Sequence, residues 1–372
     1  MIAIENLTVA LFLAMGVALI LCLAATPPVK WFAEKVGAID VPKDERRVHA
    51  VPIPRLGGLA IFIAFVISVI IFADINQGVQ GILLGSVIIV IVGVVDDIVP
   101  LKAWQKFLAQ IVAAFVAVFH GVIIEFVSNP NIFAAEPYLY LGYFAIPLTI
   151  LWIVGITNAV NLIDGLDGLA VGVSTIASLT MLMVALFVAA DANVAIILAA
   201  LAGACIGFLP YNFNPAKIFM GDTGALFLGF LLATLSIEGL FKSYAIISFA
   251  IPFMALALPI FDTTFAILRR VAKGQSPMRP DRGHLHHRLL DFGFSHKQVV
   301  FIIYLVSGTL GMLAVIIASS GPVRMVFTFL IFLMVVATVL LVFSGNLLKR
   351  KKSNPDSEET EKKEQEAKHE AD

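Results

Sequence analysis

Asp96-Asp97, Asp164 with Asp167, Asp222 and His284-Leu285-His286-His287 hold most of the chemically suggestive side chains of this sequence, and each group stands at the end of a long apolar run. Adjacent carboxylates such as Asp96 and Asp97 repel each other, so a nearby cation or a raised pKa must relieve them. A raised pKa is also what a proton acceptor near neutral pH needs. The alternative is a helix end that caps the segment after Pro100. Asn158, Asn161, Asp164 and Asp167 recur every three residues and on a helical path share one broad face. Gly165 and Gly168 between them allow a ligand to approach closely; a purely structural loop is the other reading. The alternating acids of an EF-hand are missing.

Asp222 and Thr223 open an apolar run after Asn212-Phe213-Asn214-Pro215. A helix N-terminus there offers free N–H groups to a phosphate. Asp222 could cap that helix or hold Mg²⁺, which takes one or two carboxylates plus substrate phosphates. His284, His286 and His287 could bind a transition metal, but Arg279, Arg282 and Arg288 around them suit an anionic phosphate better. A solvated basic loop is the alternative. Asp262 lies within an apolar run, where an acid is a functional suspect; an ion pair with Arg269 or Arg270 would also explain it.

The elements that position these groups are membrane spans. The chain is 60% hydrophobic and 14% charged, with a mean hydropathy of +0.97, outside the range of soluble domains. Runs of about 20 apolar residues cross a bilayer. Eleven are expected, at 7–27, 56–73, 78–95, 105–124, 140–158, 170–190, 194–211, 223–240, 244–268, 298–317 and 322–345. Pro147, Pro252 and Pro259 should bend their helices, the last pair kinking or breaking one span. With the N-terminus outside, the inner segments carry 6, 2, 1, 7 and 7 Lys or Arg at 28–55, 96–106, 212–222, 269–297 and 349–372. Only Lys242 and Arg324 fall outside, and that bias orients the chain. Glu5 in place of a basic n-region argues against a cleaved leader. The expected fold is therefore an all-α polytopic membrane protein whose C-terminus and acidic clusters face the cytoplasm. Residues 1–348 form one membrane domain, and 349–372 form a charged, disordered tail. Cys22 and Cys205 fall in spans and read as packing residues. No matched halves with broken spans suggest a transporter repeat.

PRLGG (54–58), VDD (95–97), NAVNLIDGLDGLA (158–170), NPAKIFMGDTGALFLG (214–229) and PDRGHLHH (280–287), in this order, resemble the polyprenyl-phosphate N-acetylhexosamine-1-phosphate transferases. The resemblance spans the whole chain except its tail. It implies a Mg²⁺-dependent transfer, with Mn²⁺ as a substitute, of a sugar-1-phosphate from a UDP-sugar to a polyprenyl phosphate, with release of UMP. The phospho-MurNAc-pentapeptide branch of that family reads PTMGG and ends in three adjacent histidines. PRLGG and HLHH are more similar to the GlcNAc-1-phosphate branch, which initiates wall teichoic acid, O-antigen or related glycopolymers. The implied substrates are UDP-GlcNAc and undecaprenyl phosphate, at the cytoplasmic membrane of a bacterium. Membrane lipids surround the chain, a homodimer is compatible with it, and no nucleic-acid partner is expected. By the same resemblance Asp222 is the Mg²⁺ ligand, and Asp96 and Asp97 bind or deprotonate the lipid phosphate. Asn161, Asp164, Asp167 and Asn212 line the nucleotide side, Phe219 stacks on uracil, and Arg282, His284, His286 and His287 form a phosphate loop. Asp262 matches an acidic position of that branch. A lipid flippase or transporter is the rival from another class.

Overall fold

The structure, a computed structural model, describes residues 4–41, 52–128, 138–189, 191–241, 250–275, 283–319 and 321–352. Its helices are α1 (Ile4–Val36), α2 (Gly57–Phe72), α3 (Gln77–Ile98), α4 (Ala103–Phe119), α5 (Ala145–Ile163), α6 (Leu169–Val184), α7 (Ala192–Asn212), α8 (Gly221–Ser236), α9 (Ala250–Ala255), α10 (Ala257–Ala272), α11 (Leu285–Asp291), α12 (His296–Ala318) and α13 (Gly321–Lys352). Among the described residues, seven helical stretches are long and apolar enough to cross a membrane, and three shorter apolar helices accompany them. The protein is a polytopic membrane protein.

Helices α7 and α8 are apolar and buried nearly all round, as central helices must be. Helix α1 packs on α7, while α2, α3 and α5 pack around α8. Small residues set the closest approaches. A Cβ at Gly58 would run into the backbone of Gly224, so the second glycine of PRLGG lets α2 lie directly against α8.

Within the expected span at 244–268 the helix is broken at Leu256, as the proline pair implied. Three other expectations change. Pro259 sits in the first turn of α10, where the missing N–H has no partner to lose. Pro147 likewise starts α5 rather than bending it. The chain is not strictly all-α: β1 (Ile39–Asp40) pairs antiparallel with β2 (Ile53–Pro54), and β3 (Phe126–Ser128) with β4 (Tyr138–Tyr140). Helix α13 runs through Lys352, four residues into the expected tail, whose remainder lies outside the described residues. Cys22 and Cys205 are buried and unpaired.

Candidate active site

The C-terminal ends of α3, α5 and α7 and the N-terminal ends of α6, α8 and α12 meet around one cavity of about 370 Å³. Its lining includes Asp97, Asp164, Asp167, Asn212, Phe219, Asp222 and His287, all expected from the sequence. That volume lies within the range of small-molecule sites.

Asp222 stands in the first turn of α8, one residue inside its start. It does not cap its own helix, because a carboxylate from another helix does so. Asp97, at the end of α3, accepts the Asp222 N–H at 3.1 Å, the Thr223 N–H at 3.0 Å and the Thr223 hydroxyl at 2.6 Å. Gly221 makes this possible. Its φ of +68° suits glycine, and any Cβ there would collide with the Asp97 carboxylate. Arg55 Nε donates to the Asp97 main-chain oxygen at 3.1 Å and lies 4.0 Å from its carboxylate. Asp97 is thus a buried brace whose acceptors are already used. Asp96 holds the turn after Pro100 by accepting the Leu101 N–H at 2.6 Å.

With Asp97 engaged on α8, Asp222 and Asp96 are left to share a cation. Lys106 Nζ lies 2.6 Å from Asp222 Oδ2 and 3.2 Å from Asp96 Oδ2. Asn161 donates to Asp222 Oδ1 at 3.2 Å. Among the described residues no three His, Cys, Asp or Glu side chains converge to hold a metal. This is a poor cage for zinc. Two carboxylates and an amide oxygen fit a hard cation that also takes substrate phosphates. Lys106 was read from the sequence only as a topology charge, although a lysine one turn into an apolar helix is itself a signal. Arg55 and His296 also line the cavity without having been singled out.

The every-three pattern fails past Ile163, because α5 ends there and Asp164 caps it. Gly168, with φ +78°, then starts α6. Asn158 turns away to Gln110 of α4. Asn212 accepts the Gly168 N–H at 3.1 Å and donates to the Ile218 carbonyl at 3.1 Å, clasping two loops with its amide. Asp167 accepts from Asn214 and from the Ala216 N–H, each at 3.0 Å. Phe219 is pinned beside β2 through its main chain, with its N–H on the Pro54 carbonyl at 2.8 Å.

The histidines divide. His284 Nδ1 lies 2.7 Å from Asp262, which also accepts the Leu285 N–H at 2.8 Å. Asp262 therefore anchors the histidine segment. His286 is buried between His284 and His287, and burial, then His287, lowers its pKa to about 3. His286 is thus enclosed within the histidine cluster. Of the three, His287 lines the cavity. Arg282 lies outside the described residues.

Burial, followed by the negative charges of Asp222, Asp97 and Asp167, pushes the Asp164 carboxyl up to about 8. An unfolded aspartate titrates near ~3.9, so between about pH 4 and pH 8 the folded chain keeps a proton that the unfolded chain has lost. The stability from this group is complete below the unfolded value and is lost as pH rises through the folded one. In detergent without divalent cations, Tm should fall between about pH 5 and pH 8, and Asp164→Asn should flatten that slope. An unchanged slope in the variant would refute this assignment.

Comparison with known proteins places this geometry in context. The family described as Glycosyl transferase family 4 matches residues 79–240. A probable undecaprenyl-phosphate N-acetylglucosaminyl 1-phosphate transferase of Bacillus subtilis (strain 168) is 43% identical over 342 residues, covering 90% of this chain and 94% of the relative. A decaprenyl-phosphate N-acetylglucosaminephosphotransferase of Mycobacterium tuberculosis (strain CDC 1551 / Oshkosh) is 38% identical over 308 residues, 76% of each chain. A phospho-N-acetylmuramoyl-pentapeptide-transferase of Staphylococcus aureus (strain MSSA476) is 34% identical over 278 residues, covering 70% of this chain and 84% of the relative.

Proposed function

This chain belongs to glycosyl transferase family 4, and from that membership we infer that it transfers GlcNAc-1-phosphate to a polyprenyl phosphate. UDP-GlcNAc is the donor, undecaprenyl phosphate the acceptor and UMP the by-product. The observation that carries the chemistry is the meeting of Asp96, Asp222 and Lys106 beside a cavity large enough for part of a nucleotide. The relatives supply the sugar, because the two more similar ones named above act on N-acetylglucosamine by name.

A phosphate oxygen of the lipid attacks the β-phosphorus of the donor. The new P–O bond forms as the bond from the β-phosphorus to the α–β bridging oxygen breaks, and UMP leaves with that electron pair. The chain's contribution is positioning and charge stabilisation, which dominate phosphoryl transfer. Lys106 supplies a fixed ammonium to the phosphates. Asp96, less enclosed than Asp97, is the carboxylate placed to take a proton from the incoming lipid phosphate. Asp222, with Asn161 beside it, would hold Mg²⁺. When bound there, the ion neutralises charge on the diphosphate.

We place this site at the cytoplasmic membrane surface, where nucleotide sugars are available, because the Lys and Arg residues of the sequence gather in the segments that carry the acidic clusters. A transporter needs charges at mid-membrane, whereas the acids here gather at one set of helix ends. The test is UMP release in detergent from UDP-GlcNAc, undecaprenyl phosphate and Mg²⁺, run beside UDP-MurNAc-pentapeptide. Release with UDP-GlcNAc alone is expected. No release, or release only with the muramoyl donor, would overturn the assignment.

A further inference from the structure

Gln110 of α4 is only 2% exposed and stands at the head of nine uninterrupted apolar residues. Helix α5 packs against α4 and answers it with Asn158. Asn158 Nδ2 donates to Gln110 Oε1 at 2.5 Å, and Gln110 Nε2 returns a longer bond to Asn158 Oδ1 at 3.4 Å. Asn158 Nδ2 also donates to the Val154 carbonyl of its own helix at 2.8 Å. The hydroxyls of α5, on Thr149 and Thr157, donate to carbonyls within α5, whereas the Asn158 amide reaches across to the neighbouring helix. Polar side chains paired between apolar helices form links that hydrocarbon cannot replace.

The position of this link is what gives it meaning. Lys106 lies four residues before Gln110 on α4, and Asn161 lies three residues after Asn158 on α5. Residues spaced by three or four share a helix face. Lys106 and Asn161 are the two side chains that hold the Asp222 carboxylate, at 2.6 Å on Oδ2 and 3.2 Å on Oδ1. The two helices are therefore tied twice on one side. Asp222 is the outer tie, and the amide pair is the inner one, a single turn away. The lysine stem is flexible, so the place its ammonium can occupy depends on how far apart the helices stand. Neither Gln110 nor Asn158 lines the cavity.

We propose that Gln110 and Asn158 are positioning residues of the transferase: their amide pair sets the spacing of α4 and α5, and so fixes where Lys106 and Asn161 hold Asp222. The pair acts on the reaction through those three side chains. The inference rests on the transferase reading given above.

The experiment measures Tm and the kinetics of UMP release from UDP-GlcNAc on the full-length protein in detergent, for wild type, Gln110→Met, Asn158→Leu and the double variant. Each single change leaves one amide without its partner and should lower Tm, whereas the double change puts apolar side chains of similar shape at both positions and should restore it. The rate should not follow. In all three variants kcat should fall about 10²-fold, the effect of a displacement of the order of 1 Å, because either change alone already breaks the pair. KM for UDP-GlcNAc should change little, as expected when the lost interaction belongs to the transition state. A double variant in which kcat recovers together with Tm would make the pair a packing contact and overturn the inference. Unchanged kcat in the folded variants overturns it too, and leaves the transferase reading intact. If the double variant does not fold, Gln110→Asn combined with Asn158→Gln decides, since it keeps both amides and their combined length. A rate above that of Gln110→Asn alone supports the inference, and no recovery overturns it. Wild-type protein that releases no UMP sinks both readings.

Discussion

Asp222→Ala should lower the rate of UMP release by about 10³-fold, the upper end of what one electrostatic stabiliser supplies. The protein should nevertheless remain folded. The Asp222 carboxylate meets Lys106 and Asn161 at the cavity, while its main-chain N–H, which braces α8 against Asp97, survives the substitution. The loss should therefore fall on kcat, with Tm little changed. A second readout separates metal binding from general damage. Wild-type Tm should rise as Mg²⁺ is added with UDP-GlcNAc, by mass action, and Asp222→Ala should lose that rise. Unchanged UMP release in the variant, or a Mg²⁺-dependent Tm rise that persists, would remove Asp222 from the centre of the chemistry.

Asp97→Asn should have a different signature: stability and activity fall together. Its carboxylate serves three donors, and an amide offers only one oxygen. At least one buried N–H or hydroxyl is then left facing an NH₂ group, at a cost of about 1–3 kcal/mol. The helix cap itself contributes about 0.5–2 kcal/mol. The start of α8, and Asp222 with it, should shift, and a displacement of the order of 1 Å costs about 10²-fold in rate. Thr223→Val removes the hydroxyl that donates to Asp97 at 2.6 Å. Combined with Asp97→Asn it should cost less than the sum of the two single changes, because the two side chains share one interaction. Full additivity, or lost activity with Tm intact, would mean that Asp97 acts on substrate directly rather than through Asp222.

Much of this site was readable before any coordinates, because an apolar chain makes each polar residue conspicuous. Asp164, Asp167, Asn212, Phe219, Asp222 and His287 reach one cavity, and the alternation of spans already required their loops to share a side. What sequence periodicity could not give was the division of labour. Asp96 and Asp97 are adjacent, yet consecutive positions on a helix point in different directions. One residue steadies the next turn and faces Lys106, and the other crosses to α8. The histidine run divides in a similar way: His284 goes to Asp262 and His286 inward, while His287 lines the cavity. Lys106 was missed because its partners, Asp96 and Asp222, lie 10 and 116 residues away in sequence. The proline pair announced an interruption, but not that Pro259 would start a helix rather than bend one.

The brace between α3 and α8 also bears on how this site can change over generations. Gly221 and Thr223 both meet Asp97, across 124 and 126 residues of sequence, and altering any one of the three disturbs the brace. Drift cannot edit them singly without passing through a defective intermediate. They should be inherited as a single character, while the cavity wall around them stays free to explore new sugars.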